Sequence, residues 1–186
     1  MARQDHGHEQ NHEHAHGGHD PEHAHEGPAH THTHANDAAR RAVIAGLNGL
    51  LADSFMLYVK THGFHWNVVG PRFYQLHKLF EEQYTALWEA LDELAERLRA
   101  LGARAPGSFA EFVKLTALRE ESHDVSAVDM IRQLLEGHRD LAHRALHLVE
   151  AADAAGDAGT ADLATIRGEA HDKAAWMLES LLQSES

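Results

Sequence analysis

Between residues 38 and 61 the apolar side chains Val43, Ile44, Leu47, Leu50, Leu51, Phe55, Leu57 and Tyr58 recur at steps of three and four. That is the period of a helix with one buried face. Gly63 and the Val69-Gly70-Pro71 turn interrupt the pattern, and Pro71 suits the first position of a second helix, where its missing N–H costs nothing. That helix reads to about Leu101, with Phe73, Leu76, Leu79, Phe80, Tyr84, Leu87, Leu91, Leu94 and Leu98 as its apolar stripe and Gly102 as its end. Ala105-Pro106-Gly107 opens a connection holding a short amphipathic piece at 109–118. Ser126 with Asp129 resembles a capping box for a third helix reaching about Ala155, and after a turn at 156–160 a fourth runs over 161–182. No strand-like alternation competes. The pattern predicts an all-α four-helix bundle whose long central connection carries a short extra helix.

Composition changes this picture at one end. Residues 1–36 hold eleven of the nineteen histidines, with six acids and almost nothing aliphatic beyond alanine. Such a segment buries too little apolar surface to offset its ordering entropy, so 1–36 reads as a disordered His-rich tail and 37–186 as the helical domain. With no cysteine, disulfides and zinc–thiolate sites are unavailable, as in a reducing cytosol. No apolar run approaches the roughly eighteen residues of a membrane helix, and the start is too polar for a signal peptide, so the expectation is a soluble cytoplasmic protein. A formal charge of −13 argues against a broad basic face and suits collecting cations.

The chemistry concentrates in Phe64-His65-Trp66-Asn67-Val68-Val69-Gly70, followed by Leu76-His77-x-x-Phe80-Glu81 and by Asp92-Glu93-x-x-Glu96. Imidazole plus carboxylate without thiolate is a ligand set for iron or a similar divalent metal. With His77 at zero on a helical wheel, Glu81, Asp92 and Glu96 fall at about 40°, 60° and 100°, so the four share one stripe. Yet His77 and Asp92 are separated by roughly 22 Å along the axis, whereas ligand bonds to such metals are about 2 Å. One chain therefore offers two half-furnished sites, or two copies pair antiparallel and each site draws on both chains. Two-fold pairing yields two identical sites and is the favoured reading. His65, in the loop before the second helix, joins the His77 end, and His62 stands one turn behind it. A charged stripe is most often a solvated face, but here the histidines sit among Phe64, Trp66, Phe73 and Phe80, which a solvated face does not need. Trp66, Tyr84 and Trp88 read foremost as core.

The run Phe64-His65-Trp66-Asn67-Val68-x-Gly70-x-x-Phe73-x-x-Leu76-His77-x-x-Phe80-Glu81-x-x-Tyr84, with Asp92-x-x-x-Glu96 and Ala95-Glu96-Arg97, resembles the Dps family, the mini-ferritins or DNA-binding proteins from starved cells. The likeness spans roughly 38–183 and includes His171-Asp172-Lys173-x-x-Trp176-Met177. It implies a ferritin-like subunit, twelve of which form a hollow shell. It also implies a ferroxidase that uses hydrogen peroxide by preference, stores ferric mineral and protects against oxidative stress. By position, His65, His77 and Glu81 come from one subunit and Asp92 and Glu96 from its two-fold mate. They would hold two irons, or one iron and a weaker second, with zinc able to occupy them in crystals. Glu81 stands where many relatives carry aspartate. Trp66 becomes a candidate trap for a stray oxidising equivalent. Asp153, Asp157 and Asp162 fall where the family's three-fold pore is lined, although Asp and Gly also favour plain turns.

Weaker signals remain. Glu136, Asp140, His143 and His147 share a helix face that reads foremost as solvated. Glu120-x-x-His123 matches a true-ferritin pattern but lies in the central connection. The first helix lacks glutamate, so an intrasubunit di-iron site is not supported. In the tail, His6, His8, His12, His14, His16, His23, His25, His30, His32 and His34 fall in His-x-His steps. On an extended backbone such pairs point the same way and can chelate Zn, Ni, Cu or Fe. Arg3 is the only Lys or Arg before Arg40 and stands against six acids, so DNA binding, and with it nucleoid association, is disfavoured near neutral pH and becomes acid-dependent. Ferroxidase and storage shell leads; a DNA-compacting protein and a tail-based metal buffer are the alternatives.

Overall fold

The computed structural model describes residues 29–120 and 124–183, with side chains from Asn36 onward. Five helices follow in order: α1 (Ala29–Asn67), α2 (Phe73–Ala100), α3 (Phe109–Leu115), α4 (Ala127–Ala155) and α5 (Ala158–Gln183). No strand occurs among the described residues. α1 lies against α2 and α4, α4 lies along α5, and α2 meets α5 only briefly. The short α3 sits in the long connection and packs on α1. The architecture is the expected four-helix bundle with its extra helix.

Each helix end has a local cause. Ser126 Oγ accepts from the Asp129 N–H at 3.1 Å and donates to the Asp129 carboxylate at 2.7 Å, so the start of α4 is capped as its sequence predicts. Gly156, at φ +68°, lets the chain leave α4 in the left-handed conformation that glycine tolerates. Several boundaries differ from expectation, among them the start of α5 at Ala158 where a turn over 156–160 is expected. α1 runs straight through Gly63 to Asn67, because a single helical glycine costs only about 1 kcal/mol while Phe64 and Val68 are fully buried beyond it. Pro71 consequently sits in the turn, two residues before α2.

α1 also begins at Ala29, inside the segment read as tail. Its backbone is helical at His30, His32 and His34, where the His-x-His reading assumes an extended chain. His6, His8, His12, His14, His16, His23 and His25 lie outside the described residues.

The most deeply buried part of the core is aliphatic with two phenylalanines: Leu47, Leu50, Leu57 and Phe64 from α1, Leu76, Phe80, Leu87, Leu94 and Leu98 from α2, Ile131, Leu134 and Leu141 from α4, and Leu178 from α5. α1 is, contrary to the sequence expectation, long and apolar enough by composition to cross a membrane, with an apolar window inside 36–67 at mean hydropathy 1.6. Half of that window is buried in the bundle. A helix with neighbours on two sides needs apolar residues over most of its circumference. Trp66 and Trp88, read as core, are instead 67% and 59% exposed on the single chain.

Two buried polar devices cross between elements. Asp53 on α1 accepts from the Thr116 hydroxyl at 2.7 Å and the Ala117 N–H at 2.8 Å, and its second oxygen pairs with Arg144 of α4 at 2.5 Å. A Cβ at Gly49, one turn earlier, would stand 2.2 Å from Arg144 Nη1, so glycine leaves the space through which the arginine reaches Asp53. Deeper in the bundle, His138 of α4 and His171 of α5 face each other with Nδ1 atoms 3.0 Å apart. Burial and the neighbouring Arg167 push His138 down to about 4, and burial, His138 and Arg167 hold His171 well below its ordinary value.

Two expectations follow. Asp53→Ala leaves Arg144 and two donors without their acceptor and should destabilise the subunit by about 3 kcal/mol, read as a lowered denaturation midpoint with an unchanged helix content. The two imidazoles are neutral when folded but protonate in the unfolded chain below about pH 6.5, so the unfolded chain binds more protons and stability falls as pH drops from there towards 4. His171→Gln should flatten that decline in denaturant titrations at successive pH values; an unaltered slope would contradict it.

Candidate metal centre

The last turn of α1 and the first turns of α2 bring His65 and His77 together. Their rings stack with centroids 3.7 Å apart at 18°. His65 Nδ1 lies 2.8 Å from the His77 carbonyl oxygen, and His77 Nδ1 lies 2.9 Å from the His65 carbonyl oxygen. A carbonyl only accepts, so each Nδ1 carries its proton and donates it. In the neutral form of each ring this leaves Nε2 as a lone pair, the tautomer a metal ligand needs. His65 is buried and His77 half-buried. The sequence reading puts His65 in a loop; in the structure it belongs to α1, and helix geometry sets its direction.

Glu81 stands one turn beyond His77 and is half-buried. Its carboxylate is turned to Lys78, whose hydrogen bond and charge hold it below the usual carboxylate range, with smaller contributions from His65 and His77. With Glu81 so engaged, no three His, Asp or Glu side chains gather as a metal site among the described residues. Asp92 and Glu96 are exposed on the same uninterrupted α2. Fifteen residues of unbroken helix keep Asp92 roughly 22 Å from His77. Asp92 and Glu93 border a surface groove of about 690 Å³, walled by Phe55, Trp88 and Phe112.

Behind the imidazole pair lies an aromatic group whose two tyrosines sequence reasoning assigned to the apolar stripes. Tyr84 meets the His65 ring edge-on at 5.2 Å and stacks on His62 at 3.9 Å. Trp66 lies 4.3 Å from the His62 ring, and the Tyr58 hydroxyl is 3.2 Å from His62 Nδ1. Burial and then the charge of His65 hold His62 below its ordinary value. The four-residue step from Tyr58 to His62 was the available signal.

The turn aspartates divide. Asp157 caps α5 by accepting from the Thr160 N–H at 3.0 Å and the Thr160 hydroxyl at 2.6 Å, and it pairs with Arg97 of α2. Its hydrogen bonds hold its carboxyl below the usual range against the opposing effect of burial. That carboxylate is committed to holding the α4–α5 turn on α2. Asp153 and Asp162 are exposed. Glu136, Asp140, His143 and His147 are likewise exposed, with His147 turned to Glu150 at 3.2 Å, as a solvated face requires. Glu120 lies in the connection outside any helix, and His123 lies outside the described residues.

Comparison with known proteins agrees with this fold. Residues 44–185 match the ferritin-like domain family. An uncharacterised low temperature-induced protein of Nostoc sp. is 43% identical over 151 residues, covering 80% of this chain and 84% of that one. A DNA protection during starvation protein of Brevibacillus brevis is 36% identical, covering 74% and 92%. Among solved structures, the Dps protein of Vibrio cholerae, described as a ferritin-like diiron-carboxylate protein, aligns with a TM-score of 0.75 at 34% identity, covering 78% and 91%.

A metal held by Glu81 would have to displace Lys78 from it. Lys78→Ala should therefore tighten Zn(II) binding at the imidazole pair several-fold in calorimetric titration, and an unchanged affinity would show that Glu81 is no ligand.

Proposed function

Because the chain belongs to the Dps family of ferritin-like proteins, we propose that it oxidises Fe(II), with hydrogen peroxide as preferred oxidant, at sites shared between two-fold related copies. The ferric product is stored inside a hollow dodecamer, which protects a cytoplasm against oxidative stress. The observation that carries this reading is the reciprocal bonding of His65 and His77, which orients two bare Nε2 atoms at one end of α2. The carboxylates that would complete the site stand at the other end of the same rigid helix, within reach only from a second chain.

The ligand set suggests the division of labour. Neutral His65 and His77 hold the Fe(II) substrate, and Glu81, Asp92 and Glu96 favour the harder ferric product. Two Fe(II) ions each give one electron to one peroxide, the O–O bond breaks, and two protons complete two waters, so no hydroxyl radical is released. Trp66 beside His65 serves as a trap for an equivalent that strays. Asp153 and Asp162, free of the capping role that engages Asp157, draw cations towards a pore. The described residues form the ferritin-like domain, and the His-rich segment before it gathers metal ions.

DNA compaction has less support, since Arg3 is the only Lys or Arg before Arg40. A metal buffer acting through the tail predicts stoichiometric Zn binding that is lost when residues 2–35 are removed.

The decisive measurement is peroxide-driven oxidation of anaerobic Fe(II), with particle mass recorded in parallel. Asp92→Ala/Glu96→Ala and His65→Ala/His77→Ala should each lower the rate at least tenfold while leaving the shell assembled. Co-assembly of the two variants should restore about one quarter of wild-type sites, because each mixed two-fold pair regains one intact site. Co-assembly with no recovery would rule out shared sites, and a wild-type shell no faster than buffer would rule out the ferroxidase.

A further inference from the structure

The rings behind the imidazole pair form a continuous path away from it. From His65 the path passes to Tyr84 at 5.2 Å, then to Tyr58 at 6.4 Å, and then to Trp88 at 5.5 Å. Within that path only one phenol is placed against a base by its own helix. Tyr58 and His62 are four residues apart on α1, and the hydroxyl stands 3.2 Å from His62 Nδ1. His62 is itself clamped by the Tyr84 ring on which it stacks.

This pairing has a chemical consequence. A phenol that loses an electron while keeping its proton becomes a strongly acidic cation, so its oxidation is unfavourable in isolation. With an imidazole lone pair in hydrogen-bond reach, electron and proton can leave together. Nδ1 offers that lone pair when the His62 proton resides on Nε2.

We propose that Tyr58 is a one-electron donor to peroxide at the metal centre, with His62 as its proton acceptor, used when only one Fe(II) is present. The proposal rests on the ferroxidase reading above. Peroxide requires two electrons; a single Fe(II) supplies one, and cleavage at that point would release a hydroxyl radical. Here Fe(II) gives the first electron and Tyr58 the second, passed through Tyr84 and His65. The O–O bond breaks and two solvent protons complete two waters. The phenolic proton passes to His62, leaving a neutral tyrosyl radical and Fe(III). The next Fe(II) returns an electron to Tyr58, and His62 returns the proton.

The test uses the assembled full-length protein, loaded with one Fe(II) per site, mixed with peroxide and freeze-quenched for electron paramagnetic resonance. Wild type should give a tyrosyl signal that narrows when ring-deuterated tyrosine is incorporated. Tyr58→Phe should lower that signal at least tenfold and raise spin-trapped hydroxyl radical; His62→Gln should lower it several-fold. A signal undiminished in Tyr58→Phe, or one narrowed only by deuterated tryptophan, would overturn the assignment. Wild type that oxidises iron without a tyrosyl signal would overturn this proposal alone. Wild type that oxidises no iron would remove the ferroxidase reading and this proposal with it.

Discussion

The structure depends on the straightness of α2. From Phe73 to Ala100 nothing breaks it, and its buried residues, Leu76, Phe80, Leu87, Leu94 and Leu98, keep it pressed along the bundle. An unbroken helix is a ruler. It fixes His77 and Glu81 at one end and Asp92 and Glu96 towards the other, at a separation no side chain can close. Packing that stabilises the monomer therefore also keeps these two ligand pairs apart within one chain. In the shared-site reading, stability and the need for a partner would arise from the same row of apolar side chains.

A second constraint holds the bundle's connectivity. The link between α2 and α4 must travel the length of the molecule, and a long connection gains little from its own contacts. Asp53 compensates by accepting two hydrogen bonds from the end of α3 while pairing with Arg144. Three elements are thereby fixed at one buried carboxylate. At the opposite edge, Asp157, Thr160 and Arg97 bind the α4–α5 turn to α2. The seam between α2 and α5 has few other contacts, so this polar anchor takes on a large share of holding it.

How much of this was legible in the sequence depended on whether a feature was local. α2 and α4 are amphipathic, so periodicity and caps marked them closely. α1 packs on two sides and is apolar over much of its surface, which blurred its ends and let Gly63 pass for a break. The placement of His65 in a loop followed from that error. The separation of His77 and Glu81 from Asp92 and Glu96 was legible because spacing on one helix converts directly into distance. The Asp53–Arg144 pair and the His138–His171 pair join residues far apart in the chain, and no local pattern announces them. Asp157 was ambiguous for a different reason: a carboxylate that caps a helix and one that lines a pore look identical as letters. Trp66 and Trp88 misled because a large aromatic ring signals burial, whereas on the single chain both face solvent.

The crossed bonds of His65 and His77 carry a further consequence. Each ring is anchored to the other residue's main chain, so its direction is set by where two helices meet and not by an ion at its Nε2. A centre built in this way needs little reorganisation when an ion arrives or leaves. Two fixed nitrogen donors define little of a cation's coordination geometry, which leaves discrimination by shape among cations of similar size weak. Selectivity for iron would then lie in the electron transfer that follows binding, with other divalent ions free to come and go.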